Sequence, residues 1–309
     1  MVNLQALRKI KRSLRVMEYY FLRQPFYSLW RTDQAYGRMK AFTGKRIEHE
    51  RVHKVATNLR TVLGQERDEE TIEDLSKRYF EILSCDDLDA WLWLLKPWKQ
   101  RRKHIVVEDE EYFREVADQK KGCILLSSHF GGGFFIFEVA KELGGKPQAF
   151  GQRIKRDYFK GDFFRWIYLK FRMFCVERAI GEKIIYTGRR ETGKEFLEKL
   201  EKGYHVVVFF DVPPSLIKGK VETVNVLGKD WHFPRGFLKV IAGKEIPVVP
   251  FFSCLTEENK REFRFFPPFR IQNRDEIKDA LQTCARLFER QLLKRPEQWF
   301  FWEGAEVFW

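Results

Sequence analysis

From residue 105 onward, short apolar runs alternate with longer stretches whose apolar residues recur at helical spacing. The short runs predict strands at 122–128, 147–152, 182–187, 204–210, 221–227, 246–254 and 261–267. The longer stretches predict helices at 134–143, 157–173, 190–202, 235–243 and 274–294. Strands separated by helices of about 10–15 residues are typical of α/β folds. We therefore expect one mixed sheet, mainly parallel, flanked by helices.

The chain before residue 105 is predicted to be helical. The acidic run at 68–70 would place carboxylates in the first turn of a helix, where the helix dipole favours negative charge. Apolar residues then recur as far as Leu95. We divide the chain into a helical N-terminal layer, residues 1–104, and an α/β domain, residues 105–309.

Two stretches of the N-terminal layer combine basic with aromatic residues. In the first, basic residues between 8 and 15 precede aromatic residues between 19 and 30. In the second, tryptophans between 91 and 98 precede basic residues between 99 and 103. Such stretches either lie at a membrane interface or pack on the domain with their charges in water. We expect them to form one membrane-facing surface. Because the sequence has neither an apolar run long enough to span a bilayer nor a signal peptide, we expect peripheral binding.

The charge of the chain indicates an acidic partner. Its 57 Lys and Arg residues against 44 Asp and Glu give a formal net charge of +13. An anionic membrane surface or an acidic carrier protein would suit this charge. Nucleic acid is not expected, because the basic residues are scattered and no recognition motif appears. The five irregularly spaced cysteines indicate reduced, buried thiols of a cytosolic compartment. With no metal or nucleotide motif, we predict neither a metal nor a cofactor.

The stretch GCILLSSHFGGG at 122–133 carries the leading candidate for catalysis. Its apolar start predicts a buried strand, at whose end stand His129 and then Gly131, Gly132 and Gly133. Open α/β sheets bind ligands at this end of their strands, and glycines let a substrate approach the backbone. We expect His129 to face an open cavity at this edge, where a neutral imidazole can act as a general base toward a hydroxyl. The alternative is a tight connection that happens to contain a histidine.

Other polar side chains follow predicted strands at the same edge. Asp211 comes directly after a strand, so we expect it on the same edge as His129 if both strands are parallel. The alternative for this residue is a turn or cap. Arg153 and Lys155 follow another strand, and Arg235 opens a predicted helix. These three are candidates to bind phosphate groups, with plain surface charge as the alternative.

Three segments resemble the late acyltransferases of lipid A biosynthesis, within the wider lysophospholipid acyltransferase superfamily. They are LLSSHFGGG at 125–133, LGKDWHFPRGFLKVIAGKEIPVVPFF at 227–252 and RPEQWFFW at 295–302. VVVFFDVPP at 206–214 is similar to a strand-and-aspartate segment of the same family. The resemblance covers roughly residues 50 to 302 in order.

The resemblance implies an enzyme that transfers a fatty acyl chain from acyl carrier protein or coenzyme A to a hydroxyl of a membrane glycolipid. It implies work at the cytoplasmic face of the inner membrane. It also implies a dyad in which a histidine is the general base and a Glu or Asp five positions later orients it. Here His129 takes the first place, but Phe134 takes the second. No segment resembles the family's usual N-terminal transmembrane anchor.

The missing acid leaves three interpretations. Glu138 lies on the same helical face as residue 134 but about 6 Å further along, so it could orient His129 only if the turn is remodelled. Asp211 could orient His129 from the neighbouring strand. Alternatively, the chain is a non-catalytic protein that binds lipid or acyl thioester on the same fold. We expect catalysis with one of the two acids.

Overall fold

The computed structural model describes residues 4–64, 68–159, 162–216, 219 and 221–309. The side chains of residues 4–9, and with them the predicted basic contacts of Arg8 and Lys9, lie outside the described part. The α-helices are α1 (Leu4–Met17), α2 (Gln24–Tyr27), α3 (Thr32–Gly44), α4 (His49–Leu63), α5 (Glu69–Leu95), α6 (Trp98–Arg102), α7 (Glu111–Ala117), α8 (Ile136–Glu142), α9 (Phe163–Ile180), α10 (Thr192–Glu201), α11 (Gly236–Ile241) and α12 (Ile277–Lys294). The strands are β1 (Ile105–Glu108), β2 (Ile124–Ser127), β3 (Lys146–Gly151), β4 (Ile185–Tyr186), β5 (Tyr204–Phe209), β6 (Val221–Val226), β7 (Lys229–Pro234), β8 (Val248–Leu255) and β9 (Arg261–Phe265).

Seven strands form one sheet in the order β1-β9-β8-β2-β5-β3-β4. Neighbouring strands run parallel except for β8 and β9, which are antiparallel. The predicted mixed and mainly parallel sheet is therefore confirmed. Strand β2 lies between β8 and β5 and is buried on both faces, which explains its continuous apolar sequence.

Strand β6 does not join this sheet, contrary to the sequence prediction. It pairs antiparallel with β7, which was not predicted, in a separate two-stranded sheet. The reason is visible in the burial pattern, since Val224, Val226, Trp231 and Phe233 are buried on one side of the hairpin. They belong to the same apolar core as α12. Alternate residues pack there, as they would in any half-buried antiparallel pair.

Helix α9 starts and ends later than the predicted 157–173. The Asp162 side chain accepts a hydrogen bond from the backbone N–H of Arg165 at 3.2 Å, which fixes the start of the helix. The helix ends at Gly181, whose φ of +79° lies in the left-handed region that glycine adopts readily. The predicted start of α5 is confirmed by the same kind of cap, from Asp68 to the N–H of Thr71 at 2.7 Å.

The N-terminal helices pack on both sides of the sheet. Ile72 and Phe80 of α5 belong to one apolar core, and Leu88 and Leu92 of the same helix belong to the other. The five cysteines are buried and form no disulfide. The division of the chain at residue 104 stays a prediction, because the helices and the sheet share these cores.

Aromatic contacts attach the first helical segment to α5 and α9. The Tyr20 ring stacks on Tyr168 with 4.2 Å between centroids, and the Phe21 ring meets the edge of Trp91 at 6.4 Å. The Tyr19 hydroxyl donates to the Asp87 carboxylate at 3.1 Å. The two basic and aromatic stretches are thus in contact. No helix among the described residues has the length and apolarity needed to cross a bilayer.

We predict that Asp87 makes the protein less stable as the pH rises. Burial raises the pKa of Asp87 to about 7, although Arg172 opposes this shift. The pKa of an aspartate in an unfolded chain is about 3.9, so the folded state binds more protons between about pH 4 and 7. The free energy of unfolding therefore falls across this range. Urea unfolding should show that Asp87→Asn removes this decline and is more stable than wild type at about pH 8.

The exposed Asp230→Asn serves as the control, since no burial acts on that carboxylate. Equal effects of Asp87→Asn at about pH 5 and about pH 8 would contradict the prediction.

Candidate active site

His129 and Asp211 stand at matching positions on two neighbouring parallel strands. Ser127 of β2 lies opposite Phe209 of β5, and each candidate residue follows two positions later. The chain therefore delivers both side chains to the same carboxyl edge of the sheet, where open α/β sheets bind their ligands. The structure brings these two predicted site residues together.

The Asp211 carboxylate contacts His129 through both its ring and its backbone. His129 Nδ1 lies 2.8 Å from Oδ1, and the His129 backbone N–H donates to Oδ1 at 2.9 Å and Oδ2 at 2.8 Å. A further hydrogen bond comes from the indole N–H of Trp299 to Oδ2 at 2.9 Å. Asp211 is completely buried, so these donors replace the water that would otherwise solvate its charge.

The geometry defines how the imidazole can act. A carboxylate only accepts hydrogen bonds, so Nδ1 carries the proton and Nε2 keeps its lone pair. The His129 side chain is 35% exposed, so substrate can reach it from solvent. Its ring contacts Phe209 at 4.5 Å and Phe301 at 5.0 Å between centroids. The arrangement can accept a proton at Nε2 and stabilise the resulting imidazolium through Asp211.

Glu138 takes part in a different interaction. Arg101 Nη2 donates to its Oε1 at 2.8 Å, and Nη1 donates to Oε2. Arg101 is itself buried. Burial raises the pKa of Glu138, and the hydrogen bond and charge of Arg101 oppose this shift. Two acids were considered as partners of His129. Asp211 contacts the His129 imidazole, whereas Glu138 is paired with Arg101.

Phe134, at the position where the sequence resemblance predicts an acid, is buried in the apolar core. It is 3% exposed, and its ring meets Trp93 at 6.3 Å and Phe135 at 5.8 Å between centroids. The Arg172 guanidinium lies 5.7 Å from the centre of the Phe134 ring and is paired with Asp86 at 2.7 Å. Phe134 therefore has a packing role in the structure, and the replacement of a family acid at this position stays a prediction.

The three glycines lie close against other protein atoms, and their role in substrate binding stays a prediction. Gly131 and Gly132 have φ values of +63° and +107°, in the left-handed region. A Cβ on Gly131 would overlap the Cα of Cys254, and one on Gly132 would lie 2.7 Å from Arg261 Nη1. A Cβ on Gly133 would lie 2.9 Å from a ring carbon of Phe209. The loop therefore packs closely against β8 and against the side chains of Arg261 and Phe209.

Arg261 supports this loop and was not found from the sequence. It is fully buried, and its Nη1 donates to the Gly131 carbonyl. Its Nη2 lies 3.0 Å from Asp89 Oδ2, and the Tyr36 hydroxyl donates to Asp89 Oδ1 at 2.5 Å. Burial raises the pKa of Asp89 to about 6, and the charge of Arg261 opposes this shift. The N-terminal helices thereby hold the loop that carries His129.

Two of the three predicted phosphate-binding residues contact other side chains of the protein. Arg153 and Lys155 follow β3 at the same edge of the sheet and are exposed, and the Arg153 guanidinium lies 5.3 Å from the centre of the Tyr186 ring. Arg235 Nη1 is paired with Glu222 Oε2 at 2.7 Å, which neutralises its charge. A role in substrate binding stays a prediction for all three.

A cavity of about 510 Å³ lies between α4 and α5, and His129 and Asp211 are not among its lining residues. The predicted cavity beside the His129 imidazole thus stays a prediction.

We predict that Gly131→Ala lowers the free energy of unfolding by about 2–4 kcal/mol, because a Cβ would meet backbone atoms of β8 while the residue holds a positive φ. Gly151→Ala is the matched control, since its Cβ would enter open space. Urea unfolding of both variants measures the difference. Similar small losses in the two variants would show that the loop can move away from β8.

A comparison with protein families agrees with the sequence resemblance. The family model described as bacterial lipid A biosynthesis acyltransferase matches residues 174–303. This range includes Asp211 and Trp299, whereas His129 precedes it. No match is found among curated proteins. The family match thus confirms the resemblance indicated by the sequence, and residues 174–303 are similar to the bacterial lipid A biosynthesis acyltransferases.

Proposed function

We propose that the protein transfers a fatty acyl chain from an acyl thioester to a hydroxyl of a membrane glycolipid. The thioester would be carried by acyl carrier protein or coenzyme A. The family match supports an acyltransferase of the lipid A type. The observation that carries the proposal is the 2.8 Å contact between His129 Nδ1 and the buried Asp211 carboxylate, at the edge of the sheet where ligands bind.

His129 would act as the general base. Its Nε2 accepts the proton of the acceptor hydroxyl while the hydroxyl oxygen attacks the thioester carbonyl carbon. The carbon–sulfur bond breaks as the ester forms, and the leaving thiolate takes the proton back from Nε2. Asp211 stabilises the transient imidazolium. In this scheme an acid from the neighbouring strand performs the role that the family gives to the position of Phe134.

A non-catalytic protein that binds lipid or acyl thioester is the second candidate. Phe134 favours it, because a buried aromatic ring stands where the family has its acid. Both candidates have the same fold and the same proposed membrane binding. Only the acyltransferase forms a new ester bond. Product formation by wild-type protein therefore separates them.

Exposed apolar side chains support binding to a membrane surface. Most of the large apolar side chains that are exposed in the described residues lie on α1, the π-helix Glu18–Arg23 and its flanks, the end of α5, or α9. They are Ile10, Leu14, Leu22, Phe26, Leu29, Leu94, Leu95, Phe163 and Phe174, and we call them the apolar face. Lys11, Arg12 and Arg15 are exposed on α1 beside them. This combination suits the anionic cytoplasmic leaflet of the inner membrane.

We predict that His129→Ala abolishes transfer and that Asp211→Asn lowers kcat by at least about a hundredfold, the scale of a general acid–base contribution. Glu138→Gln should leave kcat within about threefold in protein that remains folded, because Glu138 binds Arg101 and not His129. The assay incubates the protein with acyl carrier protein thioesters or acyl-coenzyme A and inner-membrane lipids. Mass spectrometry then detects lipids that have gained one acyl chain.

Phe134→Glu tests the position of the missing acid. We expect no gain in turnover, because Asp211 already binds Nδ1 and residue 134 is buried beside Arg172.

If wild-type protein transfers nothing to any acceptor but still binds thioester or lipid, the non-catalytic binding protein is the better conclusion.

We predict that the protein binds vesicles containing anionic lipid and that binding weakens as salt is added, because part of the attraction is electrostatic. Leu22→Glu and Phe26→Glu should each weaken binding, since they place a charge on the apolar face. Val307→Glu is the control, since Val307 is an exposed apolar residue outside this face. Co-sedimentation measures the bound fraction. Equal binding to neutral vesicles at high salt would reject the electrostatic contribution.

A further inference from the structure

The segment RPEQWFFW at 295–302 contacts the candidate dyad, and the mechanism above assigns it no role. Its Trp299 is completely buried in the apolar core. The indole N–H donates to Asp211 Oδ2 at 2.9 Å. An indole nitrogen only donates, and this bond uses its single donor. The single hydrogen-bond donor of the fully buried Trp299 side chain is therefore used to bind Asp211, the acid that contacts His129.

The donors to Asp211 divide into two kinds. Oδ1 receives the Nδ1–H of His129, which is the bond that orients the imidazole. Oδ2 receives the indole N–H of Trp299 from another part of the chain. The backbone N–H of His129 is shared between both oxygens. Without the indole, Oδ2 of the completely buried Asp211 would have only this shared donor, and a buried carboxylate that lacks donors is strongly disfavoured.

The backbone holds Trp299 and His129 in fixed relation. Trp299 forms an isolated antiparallel bridge with Phe130. On either side of it, Gly131 N–H donates to the Gln298 carbonyl at 2.8 Å, and Phe300 N–H donates to the His129 carbonyl at 2.9 Å. The loop that carries His129 thus also positions the Trp299 indole. Because the backbone fixes the Trp299 indole, its hydrogen bond to Oδ2 limits the rotation of the Asp211 carboxylate.

We propose that Trp299 is a positioning residue, whose indole N–H fixes the Asp211 carboxylate so that Oδ1 points at His129 Nδ1. This inference rests on the proposed acyl transfer with His129 as base. Trp299 would touch neither donor nor acceptor and would act through Asp211. Its contribution should therefore appear in kcat and leave the binding of substrate, and hence KM, nearly unchanged.

Trp299→Phe removes the N–H and keeps an aromatic ring in the core. Trp302→Phe is a closely matched control. Trp302 is equally buried in the same segment, and its indole N–H donates to the Pro296 carbonyl at 2.6 Å, away from Asp211. Each variant loses one buried indole hydrogen bond, so thermal unfolding should show comparable losses of stability.

We expect Trp299→Phe to lower kcat roughly ten- to hundredfold, which is the rate equivalent of a hydrogen bond to a charged group. KM should stay within about twofold, and Trp302→Phe should keep kcat within about twofold. In an Asp211→Asn background, Trp299→Phe should cost almost nothing further, because the two residues act through one interaction. Equal losses in both backgrounds, or an equal loss in Trp302→Phe, would overturn the proposal.

A second measurement needs no substrate and so separates this proposal from the proposed function. In protein labelled with ¹⁵N-histidine, the Nδ1–H of His129 is observed by NMR and assigned with His129→Gln. We expect its proton resonance to shift in Trp299→Phe and to stay in place in Trp302→Phe. An unchanged resonance in Trp299→Phe would overturn the positioning role even if wild-type protein is active. A shift in protein that transfers no acyl group would uphold the role and reject the acyltransferase.

Discussion

The buried charge of Asp211 is the constraint on which the candidate site depends. A carboxylate without water requires donors from the protein, and here they come from the end of β2 and from the segment that contains Trp299. Satisfying one side chain therefore brings together segments that are 82 and 88 residues away from it along the chain. The parallel pairing of β2 with β5 makes this possible, because it gives His129 and Asp211 the same offset beyond paired residues.

A second buried charge connects the N-terminal helices to the same loop. Arg261 is paired with Asp89 of α5 and donates to the Gly131 carbonyl, two residues after His129. Gly132 has no Cβ to displace the guanidinium. Buried pairs of this kind contribute little net stability, but breaking one leaves an uncompensated charge. Helix α5, which ends with Leu94 and Leu95 of the apolar face, is thus part of the support of the site as well as of the proposed link to the membrane.

The sequence predicts the sheet, the central strand and the edge that carries His129 and Asp211, because apolar periodicity and strand ends are local signals. It does not choose between Glu138 and Asp211, since that choice depends on Arg101, which lies 37 residues before Glu138 and neutralises it. The roles of Arg261 and Trp299 also depend on distant partners. The glycines show a related limit: their positive φ is a local property, but what fills the space beside them is not.

The hydrogen bonds from the His129 backbone to Asp211 have an evolutionary consequence. They give this acid a structural role in holding the loop, so its replacement would weaken the fold whether or not catalysis needs the acid. An ancestor with acids at both places would have held a spare partner for its histidine. An acid at position 134 would then be dispensable for orienting the imidazole, and an apolar side chain could take its place in the core, where Phe134 is buried.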